Sequence, residues 1–186
     1  MKKEIKTILE YNKKLMKIPP KIYEYKSLEL DPNITKLDLF KLEKKLISMT
    51  EIMSPWYSTD AEEWLYGWSG YREKTPDVFR AYTIVDKGKR VGVVAVDEDL
   101  LIWASWVSGK QYALRGAMKL IEMINESKDS EFDQVKKEGF STYIHKRNIP
   151  SLKTAEKLKM PMVECDEHDN TKLVLKPPFW FLKEGN

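Results

Sequence analysis

The sequence has little of what extracellular and membrane proteins need. Its 186 residues include a single cysteine, Cys165, so no disulfide can form within the chain. No apolar run comes near the ~18 residues that a membrane-spanning helix requires. Lysine and glutamate interrupt the apolar residues of Met1–Lys17, so this segment has no apolar centre of the kind a signal peptide needs. These absences predict a cytoplasmic protein that does not associate with membranes.

Several enzyme motifs are also missing. The sequence has two histidines and contains no Walker phosphate loop, no zinc ribbon and no serine–histidine–aspartate spacing. Cys165 and His168 flank acidic residues in one short segment, but without the paired spacing of metal ligands. The sequence therefore predicts no metal site.

Charge of neither sign dominates, because 32 basic residues stand against 29 acidic ones and the formal net charge is +3. Lysines are nevertheless concentrated in Met1–Lys45. We interpret this concentration as a solvated helix face, since runs of charge most often have that role. A patch that binds polyanions is the alternative, which keeps nucleic acid open as a weakly supported partner.

Apolar spacing and turn residues predict alternating helices and strands. The segment Val91–Val96 is almost continuously apolar, which predicts a central strand covered on both faces. The predicted helices are residues 3–17, a segment opening at Asp31-Pro32 and running through Ile47, a segment opening at Ser58, Ala113–Glu126 and Ile149–Lys159. The predicted strands are Lys21–Leu30, Phe79–Val85, Arg90–Val96, Leu100–Val107, Phe140–His145, Pro161–Cys165 and Thr171–Lys176.

This order predicts a mixed α/β fold with an antiparallel front and a helical crossover at the back. We expect Arg90–Val96 to lie antiparallel to Leu100–Val107. We also expect Leu100–Val107 to run parallel to Phe140–His145 and to diverge from it beyond Val107. Residues 1–20 are interpreted as an N-terminal helical extension, and residues 21–186 as one domain.

The segment Asn148–Leu158 reads Asn-Ile-Pro-Ser-Leu-Lys-Thr-Ala-Glu-Lys-Leu. It resembles a signature of the GNAT superfamily, the coenzyme-A-dependent N-acyltransferases, and within it the branch that acetylates ribosomal-protein N-termini and aminoglycosides. In that family the asparagine ends a strand and the serine opens the next helix, beside the pantetheine arm of the cofactor. Lys159-Met160 replaces the family's Gly-Phe, at a structural position.

A second resemblance lies in Val107–Leu120, where the family has its pyrophosphate loop between a strand and a helix. A helix N-terminus offers unpaired N–H groups and partial positive charge to phosphate. The loop is degenerate, because in either register of its Gln/Arg-x-x-Gly-x-Gly/Ala pattern one small residue is missing. Nearby cations, Lys110, Arg115 and Lys119, are expected to compensate by pairing with phosphates.

The resemblance implies transfer of an acetyl group from acetyl-CoA to a primary amine. The family's oxyanion donor is a backbone N–H, here near Trp106 or Val107. Ala155 occupies the position of the tyrosine with which many members protonate the leaving thiolate. The residues implied in cofactor binding are Trp106, Val107, Lys110, Gln111, Tyr112, Arg115, Gly116, Ala117, Asn148 and Ser151.

Three side chains are candidates for catalysis, and each has a structural alternative. Histidine often serves as a general acid or base, but His145 stands at a strand end, where a structural role is the alternative. Tyr143 shares its side of the strand and has the same alternative. Glu63 belongs to the first turn of a predicted helix, where a carboxylate commonly favours the helix dipole.

Aromatic residues are frequent in the first part of the chain, and Trp103 and Trp106 are spaced to face opposite sides of the sheet. Packing in the core is one interpretation; an aromatic-walled acceptor pocket and base stacking are the others. The cluster comprises Trp56, Tyr57, Trp64, Tyr66, Trp68 and Tyr71.

Two rival functions stay open. The first is a binding or structural protein on a GNAT-like frame, as in some phage virion proteins, and the second is a GNAT-like enzyme that modifies nucleic acid. The sequence leaves undecided whether the amine belongs to a small molecule or a protein, and whether the chain is a monomer or a dimer.

Overall fold

The structure, a computed structural model, describes residues 2–50, 59–66 and 79–182. The predicted break at Ser54-Pro55 and the aromatic residues Trp56, Tyr57, Trp68 and Tyr71 lie outside them. The α-helices of the described residues are α1 (Lys2–Lys17), α2 (Lys36–Ser48), α3 (Ala61–Tyr66), α4 (Tyr112–Glu126), α5 (Asp133–Glu138) and α6 (Ile149–Lys157). Short 3₁₀ turns occupy Ser130–Phe132 and Trp180–Leu182.

The described strands form one mixed sheet with the order β1-β2-β3-β4-β5-β7-β6. Neighbours are antiparallel except β4 and β5, which are parallel. The predicted mixed α/β class is therefore confirmed. The strands are β1 (Glu29–Asp31), β2 (Phe79–Asp86), β3 (Lys89–Asp97), β4 (Leu100–Ser105), β5 (Phe140–His145), β6 (Met162–Cys165) and β7 (Asn170–Leu175).

The two predicted pairings of β4 are confirmed, but its divergence from β5 begins earlier than predicted. Only Leu100 and Ser141 are in register across the parallel pair. Asp99, in the hairpin before β4, holds this joint twice: its main-chain oxygen accepts from Ser141 N at 2.8 Å, and its Oδ2 accepts from Ser141 Oγ at 2.8 Å. The strands therefore separate near the start of β4 rather than beyond Val107.

The first strand is much shorter than the predicted Lys21–Leu30. The chain turns at Glu24–Ser27, where Glu24 Oε1 accepts from Ser27 N at 2.9 Å, and only Glu29–Asp31 joins the sheet. Tyr25 and Leu28 are buried all the same. The apolar spacing that predicted a strand thus reflects a loop packed on the core.

The start of α2 is fixed by a buried carboxylate rather than by Asp31-Pro32. Thr35 and Asp38 form a capping box, and the Asp38 side chain is 1% exposed. Its oxygens accept from Thr83 Oγ1 at 2.9 Å and from the guanidinium of Arg90 at 2.8 to 3.0 Å. Burial by itself would raise the pKa of Asp38. The hydrogen bonds from Arg90, Thr35 and Thr83 favour the carboxylate and together outweigh burial, so the pKa lies below its usual value. This network anchors α2 to β2 and β3.

Helices cover the two faces of the sheet with separate cores. On one face α4 packs with Leu114, Met118 and Ile121. On the other, α2 and α3 pack on β3 with a cluster formed by Leu42, Leu46, Ala61, Trp64, Leu65, Val93 and Ala95. Residues of β3 enter both clusters, so its predicted central, doubly covered position is confirmed.

Helix α1 closes the outer edge of the sheet at β6. The Asn12 side chain imitates a neighbouring peptide group: its Nδ2 donates to Met162 O at 2.9 Å, and its Oδ1 accepts from Met162 N at 2.8 Å. Tyr11 Oη donates to Met160 O at 3.1 Å. These bonds satisfy a strand edge that would otherwise offer unpaired groups to another chain.

Lys159 explains the departure from the family's Gly-Phe pair. Its φ is 62°, a left-handed conformation that favours glycine. Its ammonium donates to Leu15 O and Ile18 O, both at 2.5 Å, at the C-terminal end of α1. A cation there satisfies terminal carbonyls and complements the negative end of the helix. Lys159 therefore holds α1 in place with a side chain that a glycine at this position would not have.

We predict that Lys159→Gly and Lys159→Ala separate these two effects. Both variants lose the ammonium, so the amides of α1 should exchange faster by mass spectrometry. Both variants keep the left-handed backbone at this position, but only alanine, which has a Cβ, bears its cost of about 1–2 kcal/mol. Lys159→Ala should therefore melt lower than Lys159→Gly. Lys13→Ala, at an exposed position of the same helix, is the control. Unchanged exchange in α1 in both variants would contradict this role of Lys159.

Candidate functional site

A pocket of about 660 Å³ opens where β4 leaves β5. Both strands contribute to its wall, Leu100–Ser105 from β4 and Thr142–Ile144 from β5. Residues of α2, α3, α4 and α6 complete it. The pocket therefore lies where the two strands diverge, and elements from both faces of the sheet line it.

The backbone of β4 supplies hydrogen-bonding groups to this pocket. Trp106 N donates to Val91 O at 3.1 Å, on the β3 side. Because N–H directions alternate along an antiparallel strand, the N–H groups of Trp103 and Ser105 point toward β5, which has moved away. The predicted donors are engaged elsewhere, since Val107 N donates to Ser105 Oγ at 3.3 Å. Trp103 and Ser105 thus replace Trp106 and Val107 as the candidate oxyanion donors.

The N-terminus of α4 points into the pocket. Its N-cap, Gln111, has a φ of 56° and makes no side-chain cap hydrogen bond. Within the described part of the chain, the N–H groups of Tyr112, Ala113 and Leu114 have no hydrogen-bond partner, and all three residues line the pocket. Such a helix end attracts anions. The degenerate loop keeps the feature that phosphate binding needs.

Asn148 and Ser151 also line the pocket. Asn148 is 6% exposed, and its Oδ1 accepts from Ser151 N at 3.3 Å, which caps α6. The structure thus brings the two polar residues of the Asn-x-x-Ser segment beside the N-terminus of α4.

Three lysines that the sequence analysis did not assign to the site line the pocket: Lys45, Lys153 and Lys157. Lys157 Nζ donates to Gln111 Oε1 at 2.9 Å and so links α6 to the loop before α4. Among the described lining residues there is no aspartate, glutamate or histidine. The i, i+4 spacing of Lys153 and Lys157, directly after Asn-x-x-Ser, was the available sequence signal.

Four residues assigned to the cofactor from the sequence do not line the pocket. Lys110 is exposed, and Arg115 turns away to donate to the main-chain oxygen of Glu24. Ala117 is fully buried in the core. A Cβ on Gly116 would stand 2.3 Å from Ile84 Cδ1, so this glycine lets α4 approach the sheet.

Tyr112 lines the pocket, but its hydroxyl is engaged by Asp86. That hydroxyl donates to Asp86 Oδ2 at 2.8 Å, and this bond raises the pKa of Tyr112. Tyr112 is thereby excluded as a proton donor to a ligand in the cleft.

His145 has both ring nitrogens occupied by backbone groups. Nδ1 accepts from Arg147 N at 3.1 Å, so Nε2 carries the proton and donates to His168 O at 3.1 Å. The side chain is 7% exposed and does not line the pocket. This geometry opposes the catalytic role suggested by the sequence and favours the structural alternative.

Tyr143 is the one catalytic candidate that the structure brings into the pocket. Its ring is half exposed and has the Lys172 ammonium 5.8 Å from its centroid. Glu63 is exposed on α3, outside the pocket lining.

Aromatic rings line the part of the pocket near α2 and α3. Trp106 packs against the core on that face and Trp103 belongs to the core on the α4 face, so their predicted opposite orientations are confirmed. The Trp106 indole donates to Arg90 O at 2.9 Å, which fixes its ring. Trp64 of α3 also lines the pocket. The described part of the cluster thus contributes to both core and pocket.

No helix among the described residues has the length and apolar character to cross a bilayer. Within residues 2–50, 59–66 and 79–182, histidine, cysteine and acidic side chains form no group of three able to hold a metal ion.

Comparison with known proteins gives structural matches alone. No protein-family model and no curated protein matches the chain. The N-acetyltransferase PseH of Campylobacter jejuni, solved with acetyl coenzyme A, superposes with a TM-score of 0.51 at 16% identity, over 81% of this chain and 99% of that one. The acetyltransferase of Agrobacterium tumefaciens gives 0.56 at 14% identity, over 85% and 95%. RimL, a ribosomal L7/L12 α-N-protein acetyltransferase solved with coenzyme A, gives 0.53 at 13% identity, over 81% and 94%.

The seven-stranded mixed sheet with its helices matches the fold of these solved acetyltransferases. The predicted GNAT-like fold class is therefore confirmed.

We predict that Gly116→Ala destabilises the protein through Ile84 rather than through loss of a ligand contact. Overpacking typically costs about 1–3 kcal/mol, and removal of the Ile84 Cδ1 methyl in Gly116→Ala/Ile84→Val should restore part of it. Urea unfolding of the two variants and of Ile84→Val measures this coupling. Additive effects of the two substitutions would show that the contact is not the cause.

Proposed function

We propose that the protein transfers an acetyl group from acetyl-CoA to a primary amine. The observation that carries the proposal is the pocket between β4 and β5, which joins an uncapped helix N-terminus to backbone donors on a separated strand. Several proteins of the same fold, PseH and RimL among them, were solved with acetyl-CoA or coenzyme A, which supports this co-substrate.

Two regions of the described pocket suit two different parts of the cofactor. The N–H groups of Tyr112, Ala113 and Leu114, with Lys153 and Lys157, suit its phosphates, because a helix end and ammonium groups both stabilise anions. The separated edge of β4, flanked by Asn148 and Ser151, suits the amide-bearing pantetheine arm. When bound, acetyl-CoA supplies an activated thioester.

The chain's own residues then supply orientation and electrostatic stabilisation. The N–H groups of Trp103 and Ser105 are placed to stabilise the carbonyl oxygen as it gains charge. No carboxylate or imidazole lines the described pocket, so the amine has to arrive neutral and the rate comes mainly from proximity. Tyr143 is the side chain placed to return a proton to the thiolate.

The finer assignments remain proposals. The similarity to RimL (TM-score 0.53) is close to that of PseH (0.51), so the ribosomal-protein branch stays a prediction. The cytoplasmic location, the acceptor class and the oligomeric state also stay predictions. The rival without catalysis predicts a chain that neither binds coenzyme A nor transfers acetyl groups.

We predict that coenzyme A binds to the wild type and at least about tenfold more weakly to Lys153→Glu, because an acidic side chain repels the phosphates. Saturation at about 100 times the Kd should stabilise the fold by about 2.7 kcal/mol. Lys137→Glu makes the same charge change at an exposed position of α5 outside the pocket and should bind normally. Calorimetry and thermal shift provide both readouts.

Absence of coenzyme A binding in the folded wild type would reject the proposed co-substrate and favour the binding-protein rival. Equal weakening by Lys153→Glu and Lys137→Glu would instead indicate an effect of net charge, and would refute the placement of the phosphates beside α6.

We predict that His145→Ala lowers stability while reducing kcat by no more than about 10–100-fold, less than the upper range for a general acid or base. The lost backbone bonds should cost about 0.5–1.5 kcal/mol each, and the pH profile of kcat should not move. Tyr143→Phe, which keeps the ring, should reduce kcat more than His145→Ala. A loss beyond ~10⁴-fold in His145→Ala, with coenzyme A binding intact, would identify a catalytic base.

A further inference from the structure

The three lysines of the pocket lie on different sides of the sheet. Lys153 and Lys157 belong to α6, whose buried Ala155 packs into the core shared with α4. Lys45 belongs to α2, whose buried Leu46 packs into the core on the opposite face. The phosphates have their cations and helix end on the α4 side. A second positive charge on the α2 side is left unexplained by the cofactor.

Within the part of the chain that the structure describes, the Lys45 ammonium has no ion pair or hydrogen bond, although the main-chain oxygen of Lys45 accepts from Ser48 Oγ at 2.6 Å. Its side chain is partly buried at the pocket wall. An unpaired ammonium at the rim of a pocket attracts an anion more strongly than a fully solvated one, because the local dielectric is lower. Lys45 is therefore placed to bind a negative group of a molecule that enters from the α2 side.

The surroundings of Lys45 are aromatic and apolar. Met49 and Trp64 line the same end of the pocket, and Trp106 packs on this face of β4. Tyr143 points to this face as well, since its neighbour Ile144 packs into the core on the other one. Flat rings and one cation in the same part of a pocket favour an acceptor with an apolar body and an anionic substituent.

We propose that the acceptor is a primary amine that also carries a carboxylate or phosphate group, and that Lys45 determines this specificity by binding that group. The inference rests on the proposed acetyl transfer and names the substrate class for the same site. No described acidic residue lines the pocket to hold a second ammonium, so diamines are disfavoured. In the reaction the amine nitrogen bonds to the acetyl carbon and the carbon–sulfur bond breaks. Tyr143 gives a proton to the departing thiolate, and the proton that the amine nitrogen loses restores Tyr143, directly or through water.

The test compares three acceptors that share a phenylethylamine body. L-phenylalanine adds a carboxylate to the carbon that bears the amine, tyramine phosphate adds a phosphate to the ring, and 2-phenylethylamine has no anionic group. Rates are referred to the fraction of neutral amine at each pH. For the wild type, kcat/KM should be at least about tenfold higher for an anionic acceptor than for 2-phenylethylamine. The difference should arise mainly from a lower KM. L-phenylalanine and tyramine phosphate distinguish carboxylate from phosphate as the bound group.

Lys45→Glu should abolish or invert this preference while leaving coenzyme A affinity unchanged. Lys44→Glu is the matched control, since Lys44 is exposed on the same helix, with its ammonium 4.7 Å from the Phe40 ring, and does not line the pocket. It should behave as the wild type.

An equal preference in the wild type and Lys45→Glu would overturn the role of Lys45. A wild type that binds coenzyme A and acetylates 2-phenylethylamine at least as well as the anionic acceptors would overturn the acceptor proposal alone. Coenzyme A binding without transfer to any of the three amines would contradict both the acceptor class and the acetyl transfer. Failure of the wild type to bind coenzyme A would instead overturn the proposed function, and is distinguished by calorimetry without any acceptor.

Discussion

The site depends on one short joint between two halves of the sheet. Leu100 and Ser141 are the only residues in register between β4 and β5, and Asp99 fastens them through main chain and side chain. Beyond this joint Trp103 and Ser105 lose a strand neighbour, although leaving a buried polar group unpaired costs about 1–3 kcal/mol. An extended ligand that carries amides can replace the missing strand, which is why the fold suits a pantetheine arm.

Electrostatics then divides the pocket by face. The helix end of α4, with Lys153 and Lys157, favours anions on one side of the sheet, while Lys45 favours them on the other. The described lining contains no acid and no histidine, so these residues offer the amine neither a carboxylate nor an imidazole as a base. The proposed chemistry rests on orientation, backbone donors and a neutral nucleophile.

The central strands and the antiparallel pairing of β3 with β4 were predicted from the sequence, because apolar runs and hairpin turns are local signals. The prediction failed for Lys21–Leu30, where a packed loop imitates a strand, and for Asp38, whose burial depends on Arg90 from another element. In the site, Asn148 and Ser151 were predicted from a motif. Lys45 was missed, because only the folded sheet brings it to residues far along the chain.

In the loop within Val107–Leu120, the sequence motif is incomplete but the physical feature that binds phosphate is present. Gly116 is small because α4 approaches Ile84, and Arg115 is engaged by Glu24, so neither preserves a phosphate contact. What is preserved is the uncapped helix N-terminus, where the left-handed Gln111 leaves backbone N–H groups directed at the pocket. Phosphate binding needs those groups and a positive field rather than a particular pair of glycines. Loss of the sequence pattern is therefore compatible with retention of the site.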